Sequence, residues 1–213
     1  MSDADAAATE VGEDYRDAVL AGQQWVNRHF HGCDFTDADL RDLRTSGCTF
    51  TDCTFVRVDL GETHHDATAL RGCTFDRANL IGSSWTRCSL LGSVFVACRL
   101  RSVAFCECDL TLASLASADL RRTDLSELRL REANLGEADL REANLRGADL
   151  TGARLLYTRL DGADLRGASL EADALVQAAL RGAHVDLDTA LAYAAAHGLR
   201  VDLNYGTDGS SVP

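Results

Sequence analysis

Lysine is absent from the 213 residues, so all 21 basic side chains are arginines. No lysine is therefore present to act as a general base or a nucleophile. The Gly-Lys-Ser/Thr, Gly-x-Ser-x-Gly and His-Glu-x-x-His motifs are missing as well. The only proline is Pro213, so no earlier residue removes a backbone donor from a sheet ladder. The missing lysine and the missing motifs predict a protein that is not an enzyme and holds no cofactor or metal.

Long apolar stretches are also absent. No run of 18 apolar residues occurs, and the first residues lack the basic-then-apolar order of a signal peptide. We therefore expect a cytoplasmic protein without a membrane partner. The formal net charge of −12 argues against direct nucleic-acid binding, because neutralising phosphates needs a basic stripe.

The sequence does contain a repeat of five residues. Residues 132–155 read EANLGEADLREANLRGADLTGARL, in units of Ala-(Asp/Asn)-Leu-x-x. From position 30 to position 185, every fifth residue occupies one central slot, and of these 32 slots 21 hold Leu and seven hold Phe. Neither a helix (period about 3.6) nor a plain strand explains this spacing. Self-similarity at a fixed period predicts a solenoid, here in one unbroken domain.

The repeat resembles that of the pentapeptide-repeat family. This resemblance implies an all-β solenoid, a right-handed quadrilateral parallel β-helix in which four units make one coil. We assign residues 23–185 to about eight coils, which at about 4.8 Å per coil form a rod of about 38 Å. Central residues and those two before them point inward, and the residue two after the centre lies at a corner.

Residues 20 positions apart stack in such a solenoid, which predicts columns of core side chains. The predicted core residues include Phe35, Phe55, Phe75, Phe95, Leu120 and Leu140. The irregular centres Thr45, His65 and Trp85 share one side, where we expect broad corners. The second half, from Leu110 onward, should be the most regular.

Seven of the eight cysteines occupy the inward slot two before a centre. A buried free cysteine behaves as a small hydrophobe, so we interpret these residues as core filler. They are Cys33, Cys48, Cys53, Cys73, Cys88, Cys98 and Cys108. Cys106 lies in an outward slot and is the one candidate for a reactive thiol.

Both ends depart from the repeat. Residues 1–22 are acidic and rich in alanine, and we expect a disordered lead with a short helix near residues 15–20. Trp25 then caps the first coil. Residues 186–205 predict a helix that begins at Asp186 or Asp188 and ends at Gly198, followed by a short strand. This part either covers the last coil or also meets a second copy. Residues 206–213 are expected to be a flexible tail.

Only the exterior remains for function, because a filled solenoid has no cleft. Outward carboxylates form two candidate partner-binding groups. The first comprises Glu107, Asp109, Asp124 and Glu127, and the second comprises Asp161, Asp164, Glu171 and Asp173. Asp39, Asp42, Asp59 and Glu62 stack on one further side. Between residues 25 and 185 there are 23 acidic and 19 basic residues, so the charge of the rod is modest.

Three segments narrow the resemblance to the mycobacterial fluoroquinolone-resistance branch of the family, and more distantly to Qnr proteins. These segments are 23–26 (QQWV), 90–101 (LLGSVFVACRLR) and 194–199 (AAAHGL). The resemblance implies a DNA-mimicking protein that binds DNA gyrase, through either of the two kinds of gyrase subunit or through both. It also implies inhibition or modulation of supercoiling and protection against fluoroquinolones. The alternative is a non-enzymatic scaffold for another protein partner.

The same resemblance implies a homodimer formed through the C-terminal helix. The residues assigned to this interface are Leu187, Leu191, Ala194, Ala195, Leu199, Val201 and Leu203.

Overall fold

The computed structural model describes residues 9–201, which form a four-sided column of parallel strands and bridges followed by one helix. Each segment pairs with the segment 20 positions along the chain: Thr9 lies opposite His29, and Thr54 lies opposite Thr74. This register follows from the repeat, because four units of five residues complete one coil. The predicted β-solenoid with a short C-terminal helix is confirmed.

Each side of the column holds the central residues that lie 20 positions apart in the sequence, and we name each side after the kind of residue found at these positions. The Trp side includes Trp25, the mixed side Phe30, the Phe side Phe35 and the Leu side Leu40.

The Trp side carries a five-stranded sheet of β2 (Gln24–Val26), β4 (Arg44–Ser46), β7 (His64–Asp66), β10 (Ser84–Thr86) and β12 (Ala104–Cys106). The mixed side carries β1 (Thr9–Val11), β3 (His29–His31), β5 (Thr49–Thr51) and β8 (Ala69–Arg71). The Phe side carries β6 (Thr54–Val56), β9 (Thr74–Asp76) and β11 (Val94–Val96). Isolated parallel bridges, such as Asp59 to Asn79, hold the Leu side.

The core consists of stacked rings in the first half and of leucines in the second. On the Phe side, the rings of Phe35, Phe55, Phe75 and Phe95 stack at centroid distances of 5.0, 4.7 and 4.6 Å. Leu120 and Leu140 are fully buried. All eight cysteines are free; six are buried, Cys98 is half-buried and Cys106 is exposed. The packed interior confines the accessible chemistry of the column to its outer side chains.

The corners are tighter in the second half. The last strand ends at Cys106, and beyond it successive sides close through short turns, as where Ala113 N–H donates to the Leu110 carbonyl at 3.0 Å. The regularity expected from Leu110 onward fails at one place, where a 3-10 helix spans Ala172–Leu175. Within the described residues no further coil pairs with this segment; instead the C-terminal helix packs against it.

The predicted disordered lead is wrong for residues 9–22. Thr9–Val11 is a strand paired with His29–His31, and the Tyr15 ring stacks on Phe35 at 4.8 Å where a short helix was expected. Trp25 is 3% exposed inside the column and is not its end cap. Positions 10, 15 and 20 continue the register of every fifth residue. Residues 1–8 lie outside the described part of the chain.

Helix α1 (Leu187–Ala196) begins after its N-cap Asp186, as predicted. Gly198 has φ +77°, and two hydrogen bonds close the helix: Gly198 N–H to Ala195 O at 2.9 Å and Leu199 N–H to Ala194 O at 3.0 Å. The left-handed conformation at this position explains the glycine. The predicted strand does not form at residues 199–201, where the backbone joins no sheet. Residues 202–205 and the predicted tail 206–213 fall outside the described residues.

One buried residue of the Trp side is ionisable. His65 is 4% exposed, and its ring stacks on Trp85 at 3.8 Å. Its Nδ1 lies 2.8 Å from Thr45 Oγ1, while Nε2 has no hydrogen-bond partner in the described structure. Burial lowers the pKa of His65 to about 3, because the charged form loses its hydration. His65 is therefore neutral in the folded protein at pH 7.

We predict that His65 makes the protein less stable in mild acid. Its folded pKa lies below the unfolded value of 6.5, so its contribution is complete above pH 6.5 and is lost as the pH falls towards 3. Relative to His65→Leu, wild type should lose about 2–3 kcal/mol of unfolding free energy between pH 7 and pH 4.5. Denaturant titrations at several pH values measure this difference.

His64 provides the matched control, because it is adjacent in sequence and exposed. His64→Gln should keep the wild-type dependence on pH. If wild type and His65→Leu lose stability in parallel, the assignment of a buried neutral His65 is refuted.

Candidate protein-interaction surface

Three carboxylates of the first predicted group come together at one edge of the column. Glu107 and Glu127 occupy stacked corners between the Trp and mixed sides, with φ values of +54° and +58°. They line one groove with Asp109, Arg87 and Arg129. Asp109 pairs with Arg129 at 3.4 Å, and Arg87 pairs with Asp66. Both arginines of the groove therefore have other carboxylate partners, and Glu107 and Glu127 form no ion pair within the described part of the chain.

The fourth member of that group lies apart. Asp124 is on the Trp side beyond this edge and lines a different depression with Arg101 and Arg121. Its Oδ1 accepts hydrogen bonds from the Ser126 hydroxyl at 2.7 Å and the Asn144 amide at 3.0 Å. The structure thus places Asp124 outside the groove formed by the other three.

The second predicted group is dispersed. Asp161 belongs to the Leu side, Asp164 to the Trp side, Glu171 to the mixed side and Asp173 to the 3-10 helix. Arg166 holds Asp164 at 2.6 Å and Arg146 approaches it at 3.4 Å, which keeps the pKa of this carboxyl well below its usual range. Glu171 accepts from the Gly152 N–H at 2.9 Å. These four carboxylates do not form one surface.

Pairing between aspartate and arginine was not predicted, although its signal is present in the sequence. An Asp before a centre and an Arg after it both point outward on the same side, and their guanidinium and carboxylate groups meet at 2.5 to 2.7 Å. The pairs are Asp14–Arg16, Asp39–Arg41, Asp119–Arg121, Asp139–Arg141 and Asp164–Arg166. The arginine hydrogen bond lowers the pKa of each carboxyl. Much of the acidic surface is therefore neutralised locally.

The corrected N-terminal boundary adds acidic residues to the column. Residues 9–24 contribute Glu10, Glu13, Asp14 and Asp17 against Arg16, so the net charge of the column changes from −4 to −7. Asp17 lies at a corner with φ +57°, one coil before Asp37 at +59°. The acidic composition of this segment predicts disorder, and sequence reasoning therefore does not place these residues on the surface of the column.

The residues assigned to the dimer interface lie on and after α1. Leu187, Leu199 and Val201 are 70%, 63% and 47% exposed, respectively. Ala195 is exposed, whereas Leu191 and Ala194 are half-buried. Leu203 lies outside the described residues. The helix therefore presents apolar side chains to solvent in the single chain.

Among residues 9–201, no group of His, Cys, Asp and Glu is placed to hold a metal ion. No helix in the same range is long and apolar enough to cross a membrane. The arrangement consists of a packed column with charged and apolar outer side chains.

The repeat and its four-sided column define the class of protein. The family model for pentapeptide repeats matches residues 29–64 and, in overlapping segments, 73–167. The chain therefore belongs to the pentapeptide-repeat family.

Two mycobacterial relatives match part of the sequence. The chain is 51% identical over 63 residues to the pentapeptide repeat protein MfpA of Mycobacterium tuberculosis, covering 30% of this chain and 34% of that protein. It is 53% identical over 56 residues to MfpA of Mycolicibacterium smegmatis, covering 26% and 29%. The match thus spans about a third of the length of each relative.

The solved structures extend the similarity of fold along most of the chain. Full-length QnrB1, described as a plasmid-mediated fluoroquinolone resistance protein, superposes with a TM-score of 0.79 at 21% identity. The superposition covers 91% of this chain and 98% of QnrB1. A trypsin-treated QnrB1 variant gives the same TM-score at 23% identity. At this identity the likeness establishes the fold alone.

Proposed function

We propose that this protein binds DNA gyrase, modulates supercoiling and protects against fluoroquinolones. The observation that carries the proposal is the edge formed by Glu107 and Glu127, two carboxylates on successive coils whose neighbouring arginines are paired elsewhere. The resistance role described for QnrB1 and the partial match to MfpA support it. The proposed action is non-enzymatic occupation of a DNA-binding surface on either kind of gyrase subunit, or on both, in the cytoplasm.

The charge of the column argues for local rather than complete mimicry of DNA. A duplex as long as residues 9–185, about 42 Å at one coil per 4.8 Å, carries about 25 phosphate charges. The corresponding net charge here is −7. Carboxylates without an arginine partner should therefore contribute more to the recognition of gyrase than the total charge of the column does. Two of them on one edge, about 4.8 Å apart, present a short acidic row to a basic channel.

We predict inhibition of supercoiling by cognate gyrase, and fewer quinolone-stabilised DNA breaks. Inhibition should weaken as salt rises from about 50 to 200 mM, because the Debye length shortens over this range. A supercoiling assay with purified gyrase, with and without a fluoroquinolone, measures both effects.

Gyrase that is unaffected at all salt concentrations contradicts the proposal. If the protein instead captures a different purified partner and neither kind of gyrase subunit, the scaffold alternative is correct. If inhibition does not change with the salt concentration, the acidic edge is not its cause.

The double variant Glu107→Gln with Glu127→Gln tests the edge itself. Removing two unpaired charges should raise the concentration needed for half-inhibition about tenfold, equivalent to about 1.4 kcal/mol. Titration of the variant in the supercoiling assay measures the shift.

The control for this variant is Glu132→Gln with Glu137→Gln. These residues are also exposed corner residues with positive φ, but they lie on two other edges. The control changes the net charge equally, so equal losses in both variants refute the specific edge.

We further propose that the protein is a homodimer formed through α1. The exposed apolar residues Leu187 on α1 and Leu199 and Val201 just after it support this, because apolar side chains at the end of the column gain by burial against a copy of themselves. Leu187→Ser with Leu199→Ser should shift the sedimenting species at micromolar concentration from dimer to monomer. Leu156→Ser, on the exposed Phe side, should leave the dimer intact. A wild-type monomer at all concentrations overturns this proposal.

A further inference from the structure

The outward charges of the Leu side are separated by sign along the column. Segment 58–62 carries Asp59 and Glu62 and no basic residue, whereas segment 98–102 carries Arg99 and Arg101 and no acidic residue. Glu62, Arg99 and Arg101 are exposed, and Asp59 is half-buried. Their net charges of −2 and +2 are equal and opposite.

The next segments outward repeat this relation. Segment 38–42 contains Asp39, Arg41 and Asp42, a net charge of −1, and segment 118–122 contains Asp119, Arg121 and Arg122, a net charge of +1. Segment 78–82 lies midway between the acidic and basic halves. It is uncharged and presents Asn79 and Ile81, both half-buried. The net charges of these five segments are therefore antisymmetric about the coil that contains Ile81, whereas segments 18–22 and 138–142, with net charges of 0 and −1, lie outside the pattern.

Local pairing leaves part of this charge available. Arg41 pairs with Asp39 at 2.7 Å inside its own segment and approaches Asp59 of the next coil at 3.9 Å. Arg121 likewise pairs with Asp119 at 2.6 Å and approaches Asp139 of the next coil at 3.8 Å. Arg122 contacts Glu142 on the next coil at 2.8 Å. Within residues 9–201, Arg99, Arg101, Asp42 and Glu62 take part in no such ion pair. The strongest opposite charges thus lie nearest to Ile81.

From this arrangement we propose that the Leu side pairs with the Leu side of a second copy, antiparallel, about a two-fold axis beside Ile81. The axis places segment 58–62 against segment 98–102 of the partner, and segment 38–42 against segment 118–122 of the partner. The regular coil spacing of about 4.8 Å keeps all these contacts in register at once. A two-fold interface must be self-complementary, and the inner segments meet this requirement, because Asp59 and Glu62 of one copy face the segment of Arg99 and Arg101 in the other. In the outer segments Asp42 faces Arg122, while Asp39 and Arg41 face Asp119 and Arg121, whose charges are already paired within their own segments.

A second copy fits this side better than a polyanion does. A nucleic acid long enough to cover Arg99 to Arg122 would continue towards the carboxylates of Asp59 and Glu62, which repel phosphates. The area of five short segments is below that of a standard stable interface, so the association is weak and sensitive to salt. It leaves α1 and the edge at Glu107 uncovered and does not depend on the proposed action on gyrase.

Cross-linking at the axis tests the pairing geometry. Ile81→Cys, in a Cys106→Ser background that removes the exposed native thiol, should form an intermolecular disulfide under mild oxidation at low salt. Leu91→Cys in the same background is the control, because Leu91 is exposed on the mixed side. It should cross-link at least fivefold less. Equal yields from both positions overturn the proposal.

Exchanging the charges tests the cause of the pairing. In the Ile81→Cys background, Asp59→Arg with Glu62→Arg makes one variant, and Arg99→Glu with Arg101→Glu makes the other. Each variant alone brings like charges together and should lose most of its cross-linked product. A mixture of the two should restore a cross-linked heterodimer, because all facing charges are then opposite again. Retained circular dichroism shows that both variants are folded.

Three results contradict the proposal: unchanged cross-linking in either charge variant alone, no heterodimer in the mixture, or retardation of duplex DNA by the Ile81→Cys protein without any cross-link. The supercoiling assay is a separate readout, since none of these substitutions alters Glu107 or Glu127.

Discussion

The whole structure depends on stacking of inward side chains at intervals of 20 residues. Each central residue is covered by the equivalent residue of the next coil, as in the row of rings from Phe35 to Phe95, while backbone groups of the two coils hydrogen-bond in register. An inserted or deleted residue would turn the following side chains away from the core. The same constraint fills the interior and leaves the outer side chains as the accessible surface of the column.

Regular backbone geometry also determines how surface charges combine. Because an Asp before a centre and an Arg after it share a side, pairs such as Asp139–Arg141 form within one unit and remove much of the acidic character. The corner carboxylates Glu107 and Glu127 escape this pairing because no residue of their own unit faces them, whereas Asp37 and Glu142 at other corners pair with Arg57 and Arg122 of adjacent coils. Which carboxylates remain unpaired on the surface therefore depends less on the total charge than on the position of each residue within its five-residue unit.

The sequence predicted the repeat architecture, the aromatic column and the glycine that ends α1, because each depends on short-range spacing. It led to a wrong boundary at the N-terminus, where the polar centre Glu10 and the acidic composition obscured a register that Tyr15 and Leu20 continue. Asp124 lies outside the groove of Glu107 because the two residues are at opposite edges of the Trp side. The 3-10 helix at residues 172–175 depends on α1 packing where another coil would otherwise stack. These last features arise from tertiary packing, which five-residue spacing does not encode.

The most direct test of the account is chemical labelling of carboxyl groups, followed residue by residue in the free protein and in the presence of gyrase. If recognition takes place on the exterior of a filled column at one edge, gyrase should slow the labelling of Glu107 and Glu127 and leave Glu132 and Glu137 unchanged. Protection at Glu132 and Glu137 instead, or no protection at any carboxylate, would contradict it.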